Sequence, residues 1–291
     1  MIVPFVAGGP TDALARVIGE AMSTSLGQPV VIDNRGGAGG RTAMEVTANS
    51  APDGYTLFFA TTGTMSINPS LYKMSDPLKM MEPICTVASS SNVLVVQPSF
   101  PANTIGELIA LAKQKPGTLT FGSAGVGATT HLAGELLKSA AGINITHVPY
   151  KGTAGAMTDL MGGQISMAFD TISGSVIQYI NSKQLKAIAV TGETRNDMLP
   201  NVPTVAQSGL SGFDVTTWYG LAAPAGTPVA IVDRLNKDMK KILATREVQE
   251  KLASFGVTPF PGGTPQEFAE LIREDAAKWN KVITTAGITA N

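Results

Sequence analysis

The sequence of 291 residues is poor in the side chains that build disulfides and metal sites. Cys85 is its single cysteine, and His131 and His147 are its two histidines. One cysteine excludes an internal disulfide, and so few cysteines and histidines leave little to ligate a metal cluster. We therefore expect neither a metal nor a cofactor.

The sequence also lacks an excess of either charge and a long apolar run. Lys and Arg number 21 against 22 Asp and Glu, a formal net charge of -1, which gives no sign of a nucleic-acid surface or a polybasic membrane patch. No apolar stretch approaches the roughly 18 residues that span a bilayer. The composition, 44% hydrophobic, predicts a soluble globular protein with large cores and no nucleic-acid partner.

Short β-rich runs alternate with helical periodicities almost to the end of the chain. This alternation predicts an α/β fold with mostly parallel sheets. The predicted helices lie at 12–25, 41–49, 105–114, 129–140, 154–161 and 174–181, with two more from 228 and from 265.

Two apolar strands end in Pro-containing turns, VLVVQPSFP at 94–101 and WYGLAAPAGTP at 218–228. If the chain crosses between domains at both places, residues 1–97 and 223–291 form one domain. Residues 98–222 then form a second domain inserted into it.

The junction PFVAGGPTDALAR, residues 4–16, leads from the first strand into the first helix. Thr11 is expected to cap this helix, Asp12 lies in its first turn, and Gly8 and Gly9 allow a tight turn. A helix start of this kind presents unpaired backbone N–H groups that suit a carboxylate or a phosphate. The alternative is an ordinary strand-to-helix turn.

Two further junctions have the same character, FGSAGVGATTHLAGELL at 121–137 and PYKGTAGAMTDLMGG at 149–163. Lys151 is the one cation at the mouth of the second. Ligands collect at the carboxyl ends of strands in open α/β sheets, so the three junctions could face one cleft. A nucleotide site is disfavoured, because Gly122, Gly125 and Gly127 match neither a dinucleotide-binding fingerprint nor a P-loop.

Ser123 and His131 raise the alternative of a serine hydrolase. Ser123 is not in a G-x-S-x-G sequence, however, and no residue is evident that would orient a catalytic histidine. We expect His131 to line its junction as a neutral hydrogen-bonding group and His147 to face a neighbouring strand. Asp170 ends the strand SMAFD, where it is either a functional side chain or a helix cap.

Taken in order, these segments resemble the substrate-binding proteins of tripartite tricarboxylate transporters, the Bug family. The resemblance runs nearly end to end and includes IVPFVAGGPTDALAR, GQPVVIDNRGGAGG, FGSAGVGATTHLAGEL, HVPYKGTAGAMTDLMGGQISMAFD and WYGLAAPAGTP. It implies a type II periplasmic binding-protein fold, in which two α/β lobes are joined by crossing strands and a ligand cleft lies between them.

The resemblance also implies a set of ligand contacts. In that family a carboxylate is held by strand-to-helix loops, through backbone N–H groups, hydroxyls and ordered water. The corresponding residues here are Phe5, Ala7, Gly8, Gly9, Thr11, Asp12, Thr61, Thr62, Thr64, Ser123, Ala124, Gly125, Gly127, Thr129, Thr130, His131, Lys151, Gly152, Thr153 and Asp170. Asp170 would repel a second ligand carboxylate, so we expect it to accept a hydrogen bond from a hydroxyl, an amino group or water.

The function implied is that of a monomeric, non-enzymatic receptor in the periplasm. It would bind a small carboxylate, such as a di- or tricarboxylate, an aromatic acid or an acidic amino acid, and deliver it to membrane transporter subunits. The alternatives are the hydrolase that uses Ser123 and His131, and a sensor subunit for a signalling partner.

Two features depart from the family pattern. Family members carry a secretory signal and more of the first strand, whereas this sequence starts at Met1, so we expect a trimmed or truncated chain. The segment YKMSDPLKMMEPI also differs, and we expect a surface loop around residues 76–82.

Overall fold

The computed structural model describes residues 1–260 and 262–289. In the described residues the strands are β1 (Ile2–Val3), β2 (Asp33–Asn34), β3 (Phe58–Thr61), β4 (Met81–Val96), β5 (Thr120–Ser123), β6 (Thr146–Pro149), β7 (Met167–Thr171), β8 (Lys186–Val190), β9 (Thr216–Pro224) and β10 (Thr258–Pro259). The α-helices are α1 (Pro10–Leu26), α2 (Arg41–Ala48), α3 (Asn68–Leu71), α4 (Ile105–Gln114), α5 (Thr129–Ala141), α6 (Thr153–Met161), α7 (Gly174–Asn181), α8 (Val229–Leu243), α9 (Arg246–Ser254) and α10 (Pro265–Ala286).

The chain divides into two α/β units. Unit 1 comprises Met1–Ser89 and Trp218–Asn291, and unit 2 comprises Ser90–Thr217. Both divisions fall within strands, β4 and β9, whereas the predicted domain boundaries follow residues 97 and 222. The chain therefore changes unit in the middle of an extended segment and not at the Pro-containing turn that follows it.

Unit 1 is built on a mixed sheet in the order β2–β1–β3–β9–β4. β1 runs parallel to β2 and β3, β9 runs antiparallel to β3, and β10 pairs antiparallel with β4. Apolar residues of α1, α8 and α9 cover one core, including Leu14, Ile18 and Met239. Those of α2 and α10 cover another, including Met44 and Phe268.

Unit 2 is built on a second mixed sheet, in which β6, β5 and β7 are parallel neighbours. β4 pairs antiparallel with β7 and with β8. Its apolar core includes Val93 and Val95 of β4, Ala168 of β7 and Leu160 of α6. The mostly parallel arrangement predicted from the sequence therefore applies to β5–β7 and to β1–β3, while β4 and β9 bring antiparallel pairing.

Local expectations were wrong at two places. Residues 81 and 82 belong to β4 and not to a surface loop, and Met81 is fully buried. The strand is obscured in the sequence because Pro83 and a run of serines interrupt its apolar residues. In addition, α9 was not predicted as a separate helix.

Among the residues that the structure describes, no helix has both the length and the apolarity needed to cross a bilayer.

Candidate functional site

In unit 1 the candidate site lies at the carboxyl edge of the sheet, where the parallel strands β1 and β3 are neighbours. Residues 4–9, here called loop 1, follow β1 and lead into α1. Thr62 and a π-helical turn, Gly63–Ile67, follow β3. This edge collects nine of the predicted contacts: Phe5, Ala7, Gly8, Gly9, Thr11, Asp12, Thr61, Thr62 and Thr64.

Asp12 holds loop 1 in place. Its Oδ2 accepts hydrogen bonds from Gly8 N at 2.9 Å and Arg16 Nε at 3.0 Å, and its Oδ1 accepts one from Asn34 Nδ2 at 3.0 Å. Asn34 Nδ2 also donates to Phe5 O at 3.0 Å. Burial works against ionisation, but these hydrogen bonds and the charge of Arg16 hold the pKa of Asp12 below its ordinary value. Both carboxylate oxygens are thus engaged within unit 1.

The start of α1 differs from the prediction that Thr11 caps it. Gly9 is the N-cap residue, Pro10 occupies the first turn, and no side chain caps the helix. Pro suits this position because it has no N–H to satisfy and its φ is already helical. The first turn therefore retains N–H groups with no side-chain cap, as an anion site requires.

The threonines at the end of β3 and in the turn after it are all hydrogen-bonded within unit 1. Thr61 N donates to Thr64 Oγ1 at 3.0 Å, and Thr64 Oγ1 donates to Thr61 O at 2.9 Å. Thr62 Oγ1 accepts a hydrogen bond from Trp218 N at 2.8 Å. All three threonines are buried, so their hydroxyls fix the turn after β3, and direct contact with a ligand stays a prediction.

In unit 2 the parallel strands β5, β6 and β7 end at one edge and lead into α5, α6 and α7. None of these three helices has a side-chain cap. By contrast, α4 follows the antiparallel strand β4 and is capped by Thr104, which accepts from Glu107 N. Within unit 2, the helices without a side-chain cap are those at the carboxyl edge.

Residues 124–128, here called loop 2, join β5 to α5. Three side chains accept hydrogen bonds from its backbone: Thr130 from Ala124 N at 2.9 Å, Ser123 from Gly125 N at 3.1 Å and His131 from Gly127 N at 3.3 Å. Gly125 and Gly127 have φ of +124° and +86°, which favours glycine at both positions. Thr129 Oγ1 shares a hydrogen bond with Thr217 Oγ1 at 2.5 Å. Hydroxyls and an imidazole thus set the path of the loop.

The alternative of a hydrolase that uses Ser123 and His131 finds no such pair in the structure. Ser123 Oγ instead hydrogen-bonds His147 Nε2 at 2.6 Å, because Phe121 on β5 is in register with His147 on β6. Ser123 is fully buried, so it is not placed as an accessible nucleophile. The expectation that His147 faces a neighbouring strand is confirmed.

The two imidazoles stack with centroids 4.2 Å apart, and Phe121 stacks on His147 at 4.8 Å. Burial, followed by the charges of His147 and Lys138, lowers the pKa of His131 to about 3. Burial and Lys138 lower the pKa of His147 to about 4. Both imidazoles are therefore neutral at pH 7, as expected of His131, and neither supplies a positive charge to an anion.

Lys151, Gly152, Thr153 and Asp170 lie at the same edge of unit 2. Lys151 is exposed, and Gly152, with φ of +136°, is the N-cap residue of α6. The Thr153 hydroxyl and the backbone N–H of Thr171 hydrogen-bond the carboxyl group of Asp170. Oδ1 of Asp170 is buried with no hydrogen-bond partner, and burial raises the pKa of this group to about 7.

The residues described contain no group of three or more His, Cys, Asp or Glu that could hold a metal ion.

Sequence reasoning missed Asn34 and the bond between His147 and Ser123. Asn34 opens the Gly-rich segment NRGGAGG, and its amide ties β2 to loop 1 and Asp12.

The chain is similar to known proteins along nearly its whole length. A model described as the tripartite tricarboxylate transporter family receptor matches residues 14–288. The structure of the periplasmic binding protein BugD is 38% identical, with a TM-score of 0.93 over 99% of this chain and 97% of its own.

Two solved relatives carry a ligand in their descriptions. Rpa4515 of R. palustris, solved with adipate, is 36% identical with a TM-score of 0.94 and coverage of 99% of this chain and 96% of its own. MatC of Rhodopseudomonas palustris, with bound malate, is 32% identical with a TM-score of 0.91 and 97% coverage of both chains. The likeness to BugD and to these proteins confirms the predicted α/β fold class of periplasmic binding proteins. With the family match extending over nearly its whole length, the chain belongs to the tripartite tricarboxylate transporter family of receptors.

Proposed function

We propose that this protein is a periplasmic receptor that captures a small carboxylate, in the size range of malate and adipate, and delivers it to membrane subunits of a tripartite transporter. The family match and the solved relatives with adipate and malate support this proposal. They support binding and transport in preference to catalysis.

The observation that carries the proposal is the set of helix starts without side-chain caps at the carboxyl edge of unit 2. Thr130, Ser123 and His131 fix loop 2, which leads into α5. The first turns of α5 and α6 present N–H groups without a side-chain cap. An anion needs no arginine there. Hydrogen bonds to a charged group contribute about 1.5–3 kcal/mol each, so three or four approach the roughly 8 kcal/mol of micromolar binding.

The start of α1 in unit 1 has the same character, and loop 1 is fixed by Asp12 in the way that loop 2 is fixed by Thr130. We propose that the first turn of α1, like those of α5 and α6, presents backbone N–H groups to a carboxylate. In this interpretation the buried hydroxyls and the carboxylate of Asp12 position the loops.

Thermal unfolding in the presence of di- and tricarboxylates, aromatic acids and acidic amino acids tests the proposal. We expect at least one acid to raise the Tm at millimolar concentration, because a ligand that binds only the folded state stabilises it. No stabilisation by any acid would contradict the receptor function.

A matched pair of variants tests the role of loop 2. Thr130→Val removes the acceptor for Ala124 N, and we expect it to weaken acid binding about tenfold, the equivalent of one lost hydrogen bond. Thr158→Val is the control, because the Thr158 hydroxyl bonds only Ala154 O of its own helix on the exposed face of α6. Equal affinities in the two variants would show that loop 2 does not shape the site.

A further inference from the structure

Asp12 in unit 1 and Asp170 in unit 2 are buried aspartates at the carboxyl edge of their sheets. They differ in the hydrogen bonds that their carboxylate oxygens accept. Asp12 is 4% exposed, and both of its oxygens accept hydrogen bonds. Asp170 is 2% exposed, and its Oδ1 has no partner. A buried carboxylate oxygen without a hydrogen bond is costly, so the position of Asp170 requires an explanation that Asp12 does not.

Within the described part of the chain, no cation compensates Asp170. The strands beside it, β5 and residues 90–96 of β4, carry no titratable side chain. The titratable groups of the adjoining helices are His131, Glu135 and Lys138 on α5 and Asp159 on α6, with the exposed Lys151 just before α6. None of these charges contributes to the shift in the pKa of Asp170, which burial dominates. Asp12 differs in having Arg16 beside it.

The free oxygen of Asp170 can be satisfied in two ways. An ionised carboxylate accepts a hydrogen bond from a hydroxyl or ammonium group of a ligand. Alternatively, Asp170 takes a proton from solvent on Oδ1, and the resulting O–H donates to a carboxylate of the ligand. A dianion without a donor group would be repelled by the ionised form, so only the second arrangement suits it.

We propose that Asp170 determines which acids this receptor retains, accepting a hydrogen bond from acids that carry a hydroxyl or ammonium group and taking up one proton with dicarboxylates that carry neither. This inference rests on the proposed receptor function. In this proposal Asp170 contacts the ligand and also determines the specificity of the receptor.

Succinate and malate provide a matched test, since they differ by one hydroxyl group. With the pKa of Asp170 at about 7, the protonated fraction falls about 25-fold between pH 6.5 and pH 8.5, and the affinity for succinate should fall by the same factor. The affinity for malate should instead rise about fourfold, because the ionised form accepts its hydroxyl and the ionised fraction grows from about 0.24 to about 0.97 over this range. The imidazoles of His131 and His147 stay neutral over this range.

Isothermal titration calorimetry at the two pH values measures these affinities for wild type, Asp170→Asn and Asp197→Asn. We expect Asp170→Asn to bind succinate equally at both pH values and Asp197→Asn, which removes an exposed charge from unit 2, to behave as wild type. Titrations of wild type at pH 8.5 in two buffers of different ionisation enthalpy should show about one proton taken up per succinate and about none per malate. This measurement does not depend on a variant that folds.

Any other acid that stabilises the protein is titrated in the same way. The acids are then compared in two groups, those with a hydroxyl or ammonium group and those with neither. The inference is overturned if acids bind but succinate-like and malate-like ligands show the same pH dependence. It is also overturned if the affinity of Asp170→Asn for succinate still falls with pH, or if succinate binding takes up no proton. Failure of every acid to bind would instead overturn the receptor function on which the inference rests.

Discussion

Acidification should destabilise this protein through His131. The imidazole is 3% exposed, its ring stacks on His147, and its Nδ1 accepts the N–H of Gly127. Protonation would convert this acceptor into a donor and place a charge in a buried site. The perturbation is a change from pH 7 to pH 5.

The sign and size follow from the two pKa values. His131 titrates at about 3 when folded and near its ordinary value of 6.5 when unfolded, so its contribution to stability is present above pH 6.5 and is lost as the pH falls toward 3. Between pH 7 and pH 5 the free energy of unfolding should fall by about 2 kcal/mol from this group alone.

Asp170 works in the opposite direction. Its pKa is raised from 3.8 to about 7 on folding, so its contribution to stability is full below pH 3.8 and is lost as the pH rises through 7. Lowering the pH from 7 to 5 restores about 2 kcal/mol. The effects of His131 and Asp170 nearly cancel, and His147, whose pKa is lowered to about 4, adds a loss of about 2 kcal/mol. A variant is therefore needed to isolate the effect of His131.

The assay is urea unfolding at pH 7 and pH 5 of wild type and His131→Asn, whose amide oxygen can accept from Gly127 N without titrating. The stability of the variant relative to wild type should rise by about 2 kcal/mol on acidification, because the cost of the altered packing is the same at both pH values. Thr130→Val, a neighbouring change with no titrating group, should show no such rise. A relative stability of His131→Asn that does not depend on pH would refute the reasoning.

Two further predictions concern packing and reactivity. Gly134→Ala should destabilise the protein by about 1–3 kcal/mol in urea unfolding, because the added carbon would lie 2.1 Å from Phe121 Cε2. The matched change Gly106→Ala, where the nearest atom would be 3.9 Å away, should cost nothing, and equal losses would contradict this account. Burial raises the pKa of Cys85 to about 12, so native protein should resist iodoacetamide at pH 8 and react once unfolded in urea. Modification of the native protein would show that the core around Cys85 opens.

The sequence by itself determined the local elements that depend on near neighbours. Apolar spacing and end residues predicted α4 and α7 at the bounds that they have and α5 to within one residue. The neutral state of His131 and its role in loop 2 also followed from local context, because Gly127 is only four residues away. The family resemblance, carried by the Gly-rich junctions, identified the fold and the class of protein.

The tertiary structure decided which distant residues meet. His147 lies 24 residues from Ser123 in sequence, and only the parallel register of β5 and β6 brings them to 2.6 Å. The same holds for Asn34 and Asp12, which belong to separate elements. A single sequence shows that Asp170 ends a strand, but whether its oxygens find partners depends on what surrounds them. Hydrogen-bond satisfaction and burial are properties of packed neighbours in space, and these properties separate the engaged Asp12 from Asp170 with its free oxygen.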